Sequence, residues 1–237
     1  MEKEKTCKIV FSDIDGTLLT SDGQITEGTK EMILNLEKKG IPFILTSARS
    51  PEGVRVIKRM LGNHAPIIAF CGGLILDNDG NEIYSKMIPL KRALELKAML
   101  DKDFPAVACN TFGGEKWIVD DRDDWREQRE EKIVGFPAEI GSIKDTFETE
   151  GGIHKLLLIG DPDVMTKLAA VLARDFSDLQ SAASNPEYLE ITAAGVEKSE
   201  GLKTLCGKLG ISPEEAAAFG DGESDLSMMH AAGFGAA

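Results

Sequence analysis

Residues 12–19 read Ser-Asp-Ile-Asp-Gly-Thr-Leu-Leu, and they continue an apolar run from Cys7 that predicts a short β-strand. Asp13 and Asp15 therefore follow the carboxyl end of a strand, the edge at which open α/β sheets bind their ligands. One carboxylate at that edge can attack phosphorus, while a second can protonate a leaving oxygen and later activate water. Gly16 and Thr17 complete a tight turn whose amides can face an anion.

The segments after this motif alternate between helix and strand. Apolar residues at helical spacing predict helices over 26–39 and 51–61, and β-rich runs predict strands over 41–46 and 67–71. Such alternation is typical of parallel βαβ units with right-handed crossovers. Turn residues at 77–80 predict a hairpin after the last of these strands.

Residues 84–187 lose this alternation and predict a second module. The charged run 120–132 is expected to be a solvated helix with interleaved ion pairs. The other expected elements are a helix over 90–100, strands over 106–112, 117–120 and 155–160, and a helix opened by Asp161 and Pro162. This mixture predicts an α+β layer.

The strand and helix alternation returns at residue 188. We expect a strand over 188–192, a helix carrying Leu202 and Leu205, a further helix opened by a capping box at Ser212, and a strand over 216–219. The sequence thus predicts an α/β protein. Its core is a Rossmann-like, doubly wound parallel sheet formed by residues 1–83 and 188–237, with an inserted α+β domain over 84–187.

Composition and charge exclude several classes of partner. The 237-residue chain has 27 Lys and Arg against 40 Asp and Glu, a net charge of −13, which repels nucleic acid and anionic membranes. The amino end has no apolar signal core, and the longest apolar stretch, 65–76, is shorter than the roughly 18 residues of a membrane span. We therefore expect a soluble cytoplasmic protein without nucleic-acid or membrane partners.

A second acidic motif, Gly-Asp-Gly-Glu-Ser-Asp at 220–225, directly follows the strand predicted over 216–219. Asp221 and Asp225 are therefore expected at the same sheet edge as Asp13 and Asp15. Four carboxylates at one edge require a cation. Mg²⁺ suits them, because it prefers oxygen ligands and is completed by substrate phosphate, whereas the His and Cys ligands of a zinc site are missing.

Two further polar segments can complete such a site. Thr-Ser-Ala-Arg at 46–49 ends the second predicted strand, and Lys198 precedes a predicted helix. Ser47 can hydrogen-bond an equatorial phosphoryl oxygen, and Lys198 can balance the carboxylates and the charge that develops during transfer. Arg49 is equally compatible with contact to an anion and with an ordinary surface position.

These segments, in this order, resemble the haloacid dehalogenase (HAD) superfamily, with its strand-end DxDGTLL, its Ser or Thr after the second strand, its Lys and its terminal GDxxxD. The long insert resembles the Cof-type, class IIB branch of sugar-phosphate and cofactor phosphatases, in which the insert is a cap domain. The resemblance implies that Asp13 is the nucleophile and Asp15 the general acid/base. It places Mg²⁺ on the Asp13 carboxylate, the Asp15 main-chain carbonyl and Asp221, with Asp225 as a supporting carboxylate.

The resemblance also implies an activity. The expected enzyme is a Mg²⁺-dependent phosphatase that hydrolyses a small phosphate monoester, such as a sugar or cofactor phosphate, through an aspartyl-phosphate intermediate. Ser47 and Lys198 join the two aspartates as expected catalytic residues. The expected substrate-binding residues are Gly16, Thr17, Ser47, Arg49 and Lys198.

Two alternatives stay open at this point. A phosphomutase needs the same two aspartates, and a phosphate-binding regulatory protein is suggested by Ser47, Cys71 and Ser224, which depart from the usual Cof pattern. Members of the family also continue past the positions of 233–235, so either the sequence is truncated or the sheet edge is completed in another way. No motif indicates the particular ester or the oligomeric state.

Overall fold

The computed structural model describes residues 6–237, which form two compact units. The first, here the core unit, runs through Ser85 and resumes over Val196–Ala237. The second, here the inserted unit, is Lys86–Gly195.

The helices and strands have the following bounds in chain order. The core unit begins with β1 (Ile9–Ser12), α1 (Glu27–Lys38), β2 (Phe43–Thr46), α2 (Pro51–Leu61), β3 (Ile67–Ala69), β4 (Leu74–Leu76) and β5 (Glu82–Ser85). The inserted unit contains β6 (Ile88–Pro89), α3 (Leu90–Asp103), β7 (Ala108–Gly113), β8 (Lys116–Val119), α4 (Trp125–Val134), β9 (Glu139–Ile140), α5 (Ile143–Phe147), β10 (Gly152–Ile153), β11 (Lys155–Ile159), α6 (Pro162–Asp175), β12 (Leu179–Asn185) and β13 (Tyr188–Ala193). The core unit ends with α7 (Lys198–Leu209), β14 (Ala216–Phe219), α8 (Glu223–Ala231) and β15 (Phe234–Ala236).

The core unit is built on a seven-stranded sheet in the order β15-β14-β1-β2-β3-β4-β5. The strands from β15 to β3 are parallel, and β4 and β5 are antiparallel additions at one edge. The parallel α/β core and the hairpin predicted at 77–80 are therefore confirmed. Strand β1 lies between β14 and β2, and all four of its residues are buried, which is why its sequence is a continuous apolar run.

Local signals explain the ends of the core helices. The side chain of Ser50 accepts a hydrogen bond from Gly53 N at the start of α2, Pro51 occupies the first turn, and Gly62 ends the helix at φ +70°. Ser, Pro and Gly in these positions are the usual start and stop signals of a helix. Helix α1 begins in the same way, with the Thr26 side chain accepting from Thr29 N.

One hydrophobic cluster of this unit lies between the sheet and the last two helices. Ile9, Phe11 and Ile44 from the sheet pack in one cluster with Leu202 of α7 and Met228 of α8, all of them almost fully buried. Burial of each such side chain stabilises the fold by about 1.5–3 kcal/mol. This packing holds α7 and α8 against the sheet that carries the first acidic motif.

The inserted unit has its own six-stranded sheet in the order β12-β13-β11-β7-β8-β9, in addition to a two-stranded sheet of β10 and β6. The strand predicted over 188–192 was assigned to the core, and that assignment was wrong. As β13 it pairs antiparallel with β11 and β12, so the inserted unit continues to Gly195 and does not end at residue 187. The run Tyr188–Ala193 has strand propensity, but propensity does not specify the strand's partner.

Two shorter elements also differ from expectation. The strand predicted over 67–71 ends at Ala69, because Phe70 and Cys71 adopt positive φ angles of 50° and 54° in a 3₁₀ turn. The capping box at Ser212 forms, yet it opens only one 3₁₀ turn, Pro213–Glu215, before β14 begins.

The charged run 120–132 forms a helix only from Trp125, where the Asp124 side chain caps α4. This helix is not fully solvated, since Glu127 and Glu130 are buried. Within residues 6–237, no helix combines the length and the apolar character that crossing a bilayer requires.

Candidate active site

The two acidic motifs begin where neighbouring parallel strands end. Ser12 of β1 stands opposite Phe219 of β14, and the Asp13 amide donates to the Phe219 carbonyl at 2.9 Å. The loop 220–225 therefore starts beside Asp13, as the sequence predicted from the common carboxyl edge of parallel strands.

Lys198 connects the two motifs. Its Nζ lies 2.5 Å from Asp13 Oδ1 and 2.5 Å from Asp225 Oδ1. The three residues are almost fully buried, with relative exposures of 3% for Lys198, 6% for Asp13 and 1% for Asp225. A buried charge is tolerated only when it is paired, so these residues depend on one another for their placement.

Burial and pairing act in opposite directions on the pKa values of this group. Burial raises the pKa of Asp13, and the Lys198 ammonium offsets only part of that rise. For Lys198, burial acts to lower the pKa, but the charge of Asp13 and the hydrogen bonds to Asp13 and Asp225 help to outweigh it, so its pKa is raised. Lys198 therefore remains an ammonium beside the carboxylate it holds.

Asp221 is placed by the turn that follows the first motif. The Thr17 hydroxyl donates to Asp221 Oδ1 at 2.8 Å. Gly16 has φ +85°, and a Cβ on it would stand 2.3 Å from Asp221 Oδ2. Only glycine fits this position, because any side chain would both strain the left-handed backbone and displace the carboxylate.

The carboxylates of Asp13, Asp221 and Asp225 lie close enough together for one cation to contact all three. One oxygen from each lies within 4.8 Å of the others. A donor set made only of oxygens fits a hard divalent cation such as Mg²⁺ better than zinc or copper. Asp225 already accepts from Lys198 through Oδ1 and from Gly222 N through Oδ2, whereas Asp221 is exposed.

Asp15 lies apart from this cluster with its side chain 58% exposed. The Arg49 guanidinium donates to both of its oxygens, from Nε to Oδ2 at 2.8 Å and from Nη2 to Oδ1 at 2.6 Å. Arg49 was expected to contact an anion or to occupy an ordinary surface position. The anion that it contacts in the structure is the side chain of Asp15.

Ser47 is buried, and it supports the loop that carries Arg49. Its Oγ accepts from Arg49 N at 3.2 Å, its amide donates to Ile68 O at 3.0 Å, and its carbonyl accepts from Cys71 N at 2.9 Å. The hydroxyl of Ser47 is therefore at the carboxyl end of β2, where the sequence placed it.

Sequence reasoning missed the function of the 3₁₀ turn Phe70–Gly72. Phe70 N donates to Arg49 O at 3.0 Å, and a Cβ on Gly72 would stand 2.4 Å from the carbonyl oxygen of Glu197, the residue before Lys198. The turn thus lies between the loop of Arg49 and the start of α7. A signal for it was present, because Gly72 and Gly73 directly follow the apolar run 67–71, and glycine beside a strand is typical of backbone that approaches another segment closely.

The predicted site residues all lie in the core unit and fall into two linked groups. Lys198 pairs with two carboxylates of the first group, and Arg49 pairs with the carboxylate of the second. The first contains Asp13, Gly16, Thr17, Lys198, Asp221 and Asp225, and the second contains Asp15, Ser47 and Arg49.

Paired carboxylates and a buried lysine lie at the carboxyl edge of the parallel strands, where open α/β sheets bind their ligands, so this edge is the candidate active site. Residues 10–237 match the family model of the haloacid dehalogenase-like hydrolases. The chain belongs to this family and is a hydrolase, which confirms the resemblance inferred from the motifs.

Known relatives extend over nearly the whole chain. A Haemophilus influenzae protein named "Putative phosphatase" is 31% identical over 239 residues, covering 97% of this chain and 86% of the relative. Phosphatase YwpJ of Bacillus subtilis is 28% identical over 97% of this chain and 88% of its own length.

Solved structures share the fold. A haloacid dehalogenase-like hydrolase from Bacteroides thetaiotaomicron superposes with a TM-score of 0.85 at 24% identity, covering 96% of this chain and 86% of the other. The HAD subclass IIB sugar phosphatase BT4131 superposes with a TM-score of 0.78 at 21% identity, over 96% of this chain and 86% of its own.

Proposed function

We propose that this protein is a Mg²⁺-dependent phosphatase that hydrolyses a small phosphate monoester through an aspartyl phosphate on Asp13. The observation that carries the proposal is the pairing of Asp13 with Lys198 at the carboxyl edge of the sheet. The ammonium orients the carboxylate through Oδ1 and lies beside the position where a transferring phosphoryl group would gain negative charge.

The proposed reaction has two halves. Asp13 attacks phosphorus, the ester P–O bond breaks, and Asp15 gives a proton to the leaving oxygen. Asp15 then takes a proton from water, which attacks the aspartyl phosphate and releases inorganic phosphate and free Asp13. Ser47 would donate its hydroxyl to a phosphoryl oxygen, and Lys198 would offset the charge of the group in both halves.

The acidic cluster would hold the cation. We assign the Asp13 carboxylate and the exposed Asp221 as side-chain ligands, together with the Asp15 main-chain carbonyl. Asp225 is assigned a supporting role, because both of its oxygens already accept hydrogen bonds. Bound Mg²⁺ would neutralise the charge of the phosphate group.

Names of relatives support the substrate class. Phosphatase YwpJ aligns with nearly the whole of this chain, and the structural neighbour BT4131 is a HAD subclass IIB sugar phosphatase. We therefore propose that sugar phosphates and related cofactor phosphates are the first esters to test.

The decisive experiment measures phosphate release from p-nitrophenyl phosphate and a panel of sugar and cofactor phosphates, with Mg²⁺ and with EDTA. Asp13→Asn should abolish turnover, because an amide cannot form the acyl phosphate. Asp79→Asn, an exposed aspartate of the same unit, is the matched control and should retain it. Turnover that survives Asp13→Asn contradicts the proposal.

Two other outcomes point to the alternatives. Conversion of a sugar phosphate to its isomer without release of phosphate would indicate a phosphomutase. Binding of vanadate or phosphate with no turnover of any ester would indicate a phosphate-binding protein. A phosphate-binding protein without turnover is not expected, because the carboxylates that phosphoryl transfer requires are present and Lys198 holds Asp13 in place. The phosphatase names of the relatives favour hydrolysis over a mutase reaction.

A further inference from the structure

The ion pair between Arg49 and Asp15 has a geometry that fixes the direction of a carboxylate. Two adjacent guanidinium nitrogens, Nε and Nη2, donate to the two oxygens of one carboxylate at 2.8 Å and 2.6 Å. Bidentate pairs of this kind restrict both the position and the plane of the carboxylate, which a single hydrogen bond does not. The Asp15 side chain is 58% exposed, so packing restrains it little and Arg49 is its main restraint.

Arg49 is itself held by the backbone around it. Its amide donates to Ser47 Oγ at 3.2 Å, and its carbonyl accepts from Phe70 N at 3.0 Å. The Cβ of Arg49 lies against helix α2, because a Cβ added to Gly53 would stand only 3.2 Å from it. The guanidinium is therefore presented from a fixed support rather than from a mobile surface chain.

We propose that Arg49 is a positioning residue that sets the orientation of Asp15, and that it does not act as a receptor for the substrate's phosphate. The inference rests on the proposed function, in which Asp15 passes a proton to the leaving oxygen. A guanidinium that already directs two of its five N–H donors, and its charge, at one carboxylate has less capacity for a second anion. Loss of Arg49 should therefore impair the proton transfer more than the binding of the ester.

This distinction can be measured through the leaving group. A p-nitrophenolate departs readily without a proton, whereas the alkoxide of glycerol 2-phosphate does not, so only the alkyl ester depends strongly on Asp15. The ratio kcat/KM reports the steps up to departure of the leaving group. We expect Arg49→Ala to reduce kcat/KM at least about 10-fold more for the alkyl ester than for the aryl ester, as part of the 10²- to 10⁴-fold effect of a general acid.

Three further variants make the test specific. Arg49→Lys should recover part of the loss, because an ammonium pairs with the carboxylate but cannot bind it bidentately. Arg49→Ala should have little additional effect in an Asp15→Asn background, since both changes remove the same contribution. Arg59→Ala is the matched control: it removes an exposed arginine of helix α2 that pairs with Glu52, and it should leave both esters unaffected.

A uniform loss on both esters, with a raised KM and full additivity with Asp15→Asn, would overturn the inference and assign Arg49 to phosphate binding. If Arg49→Ala does not fold, the same leaving-group comparison is made with Arg49→Lys. If the wild type has no Mg²⁺-dependent turnover, that result contradicts the proposed function and not the positioning of Asp15 by Arg49. The positioning is then tested by NMR. An Arg49 Nε–H that exchanges slowly in the wild type and rapidly in Asp15→Asn supports it, whereas rapid exchange in both proteins contradicts it.

Discussion

Helix α4 presents carboxylates to the sheet of the inserted unit and leaves its large apolar residues in solvent. Glu127 is 2% exposed and Glu130 8%, whereas Trp125 is 63% and Ile133 60% exposed. Among the described residues, Glu127 Oε2 has no hydrogen-bond partner. Burial raises the pKa of Glu127 from 4.5 to about 7, and the negative charges of Asp124 and Glu130 add to the rise.

The sign of the resulting pH dependence follows from linkage. Folded Glu127 binds its proton more tightly than the unfolded chain does, so its contribution to stability is complete below pH 4.5 and is lost as the pH rises through about 7. At about 1.4 kcal/mol for each pH unit, the loss reaches about 3 kcal/mol by pH 8. Glu127→Gln cannot ionise, and we expect its free energy of unfolding to gain about 2.5 kcal/mol on that of the wild type between pH 5 and pH 8.

The assay is urea unfolding followed by tryptophan fluorescence at pH 5, 6, 7 and 8. The chain has two tryptophans, Trp117 and Trp125, and both lie in the inserted unit, so the signal reports the unit that contains Glu127. Glu148→Gln, which changes an exposed glutamate of the same unit, should show no pH-dependent gain. A difference between Glu127→Gln and the wild type that stays constant from pH 5 to 8 would refute the reasoning.

Three further predictions concern single residues of the two units. Gly16→Ala should lower turnover at least about 10-fold, because its Cβ would stand 2.3 Å from a carboxylate oxygen of Asp221. Gly23→Ala is the control: at φ +73° in open space it should lower the free energy of unfolding, measured by thermal denaturation, by about 1–2 kcal/mol and leave turnover unchanged. Lys198→Met leaves buried carboxylates unpaired and should destabilise the protein by about 3–5 kcal/mol. Lys203→Met, at a 51% exposed position of the same helix, should change stability by less than about 1 kcal/mol. Equal urea midpoints for the two variants would contradict this prediction. Burial lowers the pKa of His154 from 6.5 to about 4. The stability that its neutral ring contributes is therefore present above pH 6.5 and lost as the pH falls through 4. Ring NMR signals of His154 that titrate near pH 6.5 would contradict this prediction.

Much of the fold could be predicted where the determining interactions are local. The bounds of α2 follow from Ser50, Pro51 and Gly62, because a capping side chain, a preset φ and a left-handed stop act within a few residues. The meeting of Asp13 with the loop 220–225 could also be predicted. Both follow apolar strands, and the carboxyl ends of adjacent parallel strands share an edge.

Strand partners and ion pairs between segments far apart in the sequence could not be predicted from local signals. The run Tyr188–Ala193 has the same strand signal as a core strand, but it pairs with β11 and β12 of the inserted unit. Arg49 and Asp15 are each ordinary charged residues in the sequence, and their bidentate contact depends on how the loops after β1 and β2 face each other. The same holds for Glu127, whose burial opposes the usual rule that charged side chains stay in solvent.

The sequence by itself therefore determined the alternation of strands and helices from β1 to β3, the parallel core and the identity of the acidic residues at its edge, since each depends on periodicity or on a motif that follows a strand. Tertiary structure alone decided which carboxylate meets which cation, with Lys198 buried between Asp13 and Asp225 and Arg49 on Asp15. The physical reason is that charge pairing and burial depend on distances between segments far apart in the chain, and local propensity carries no information about those distances.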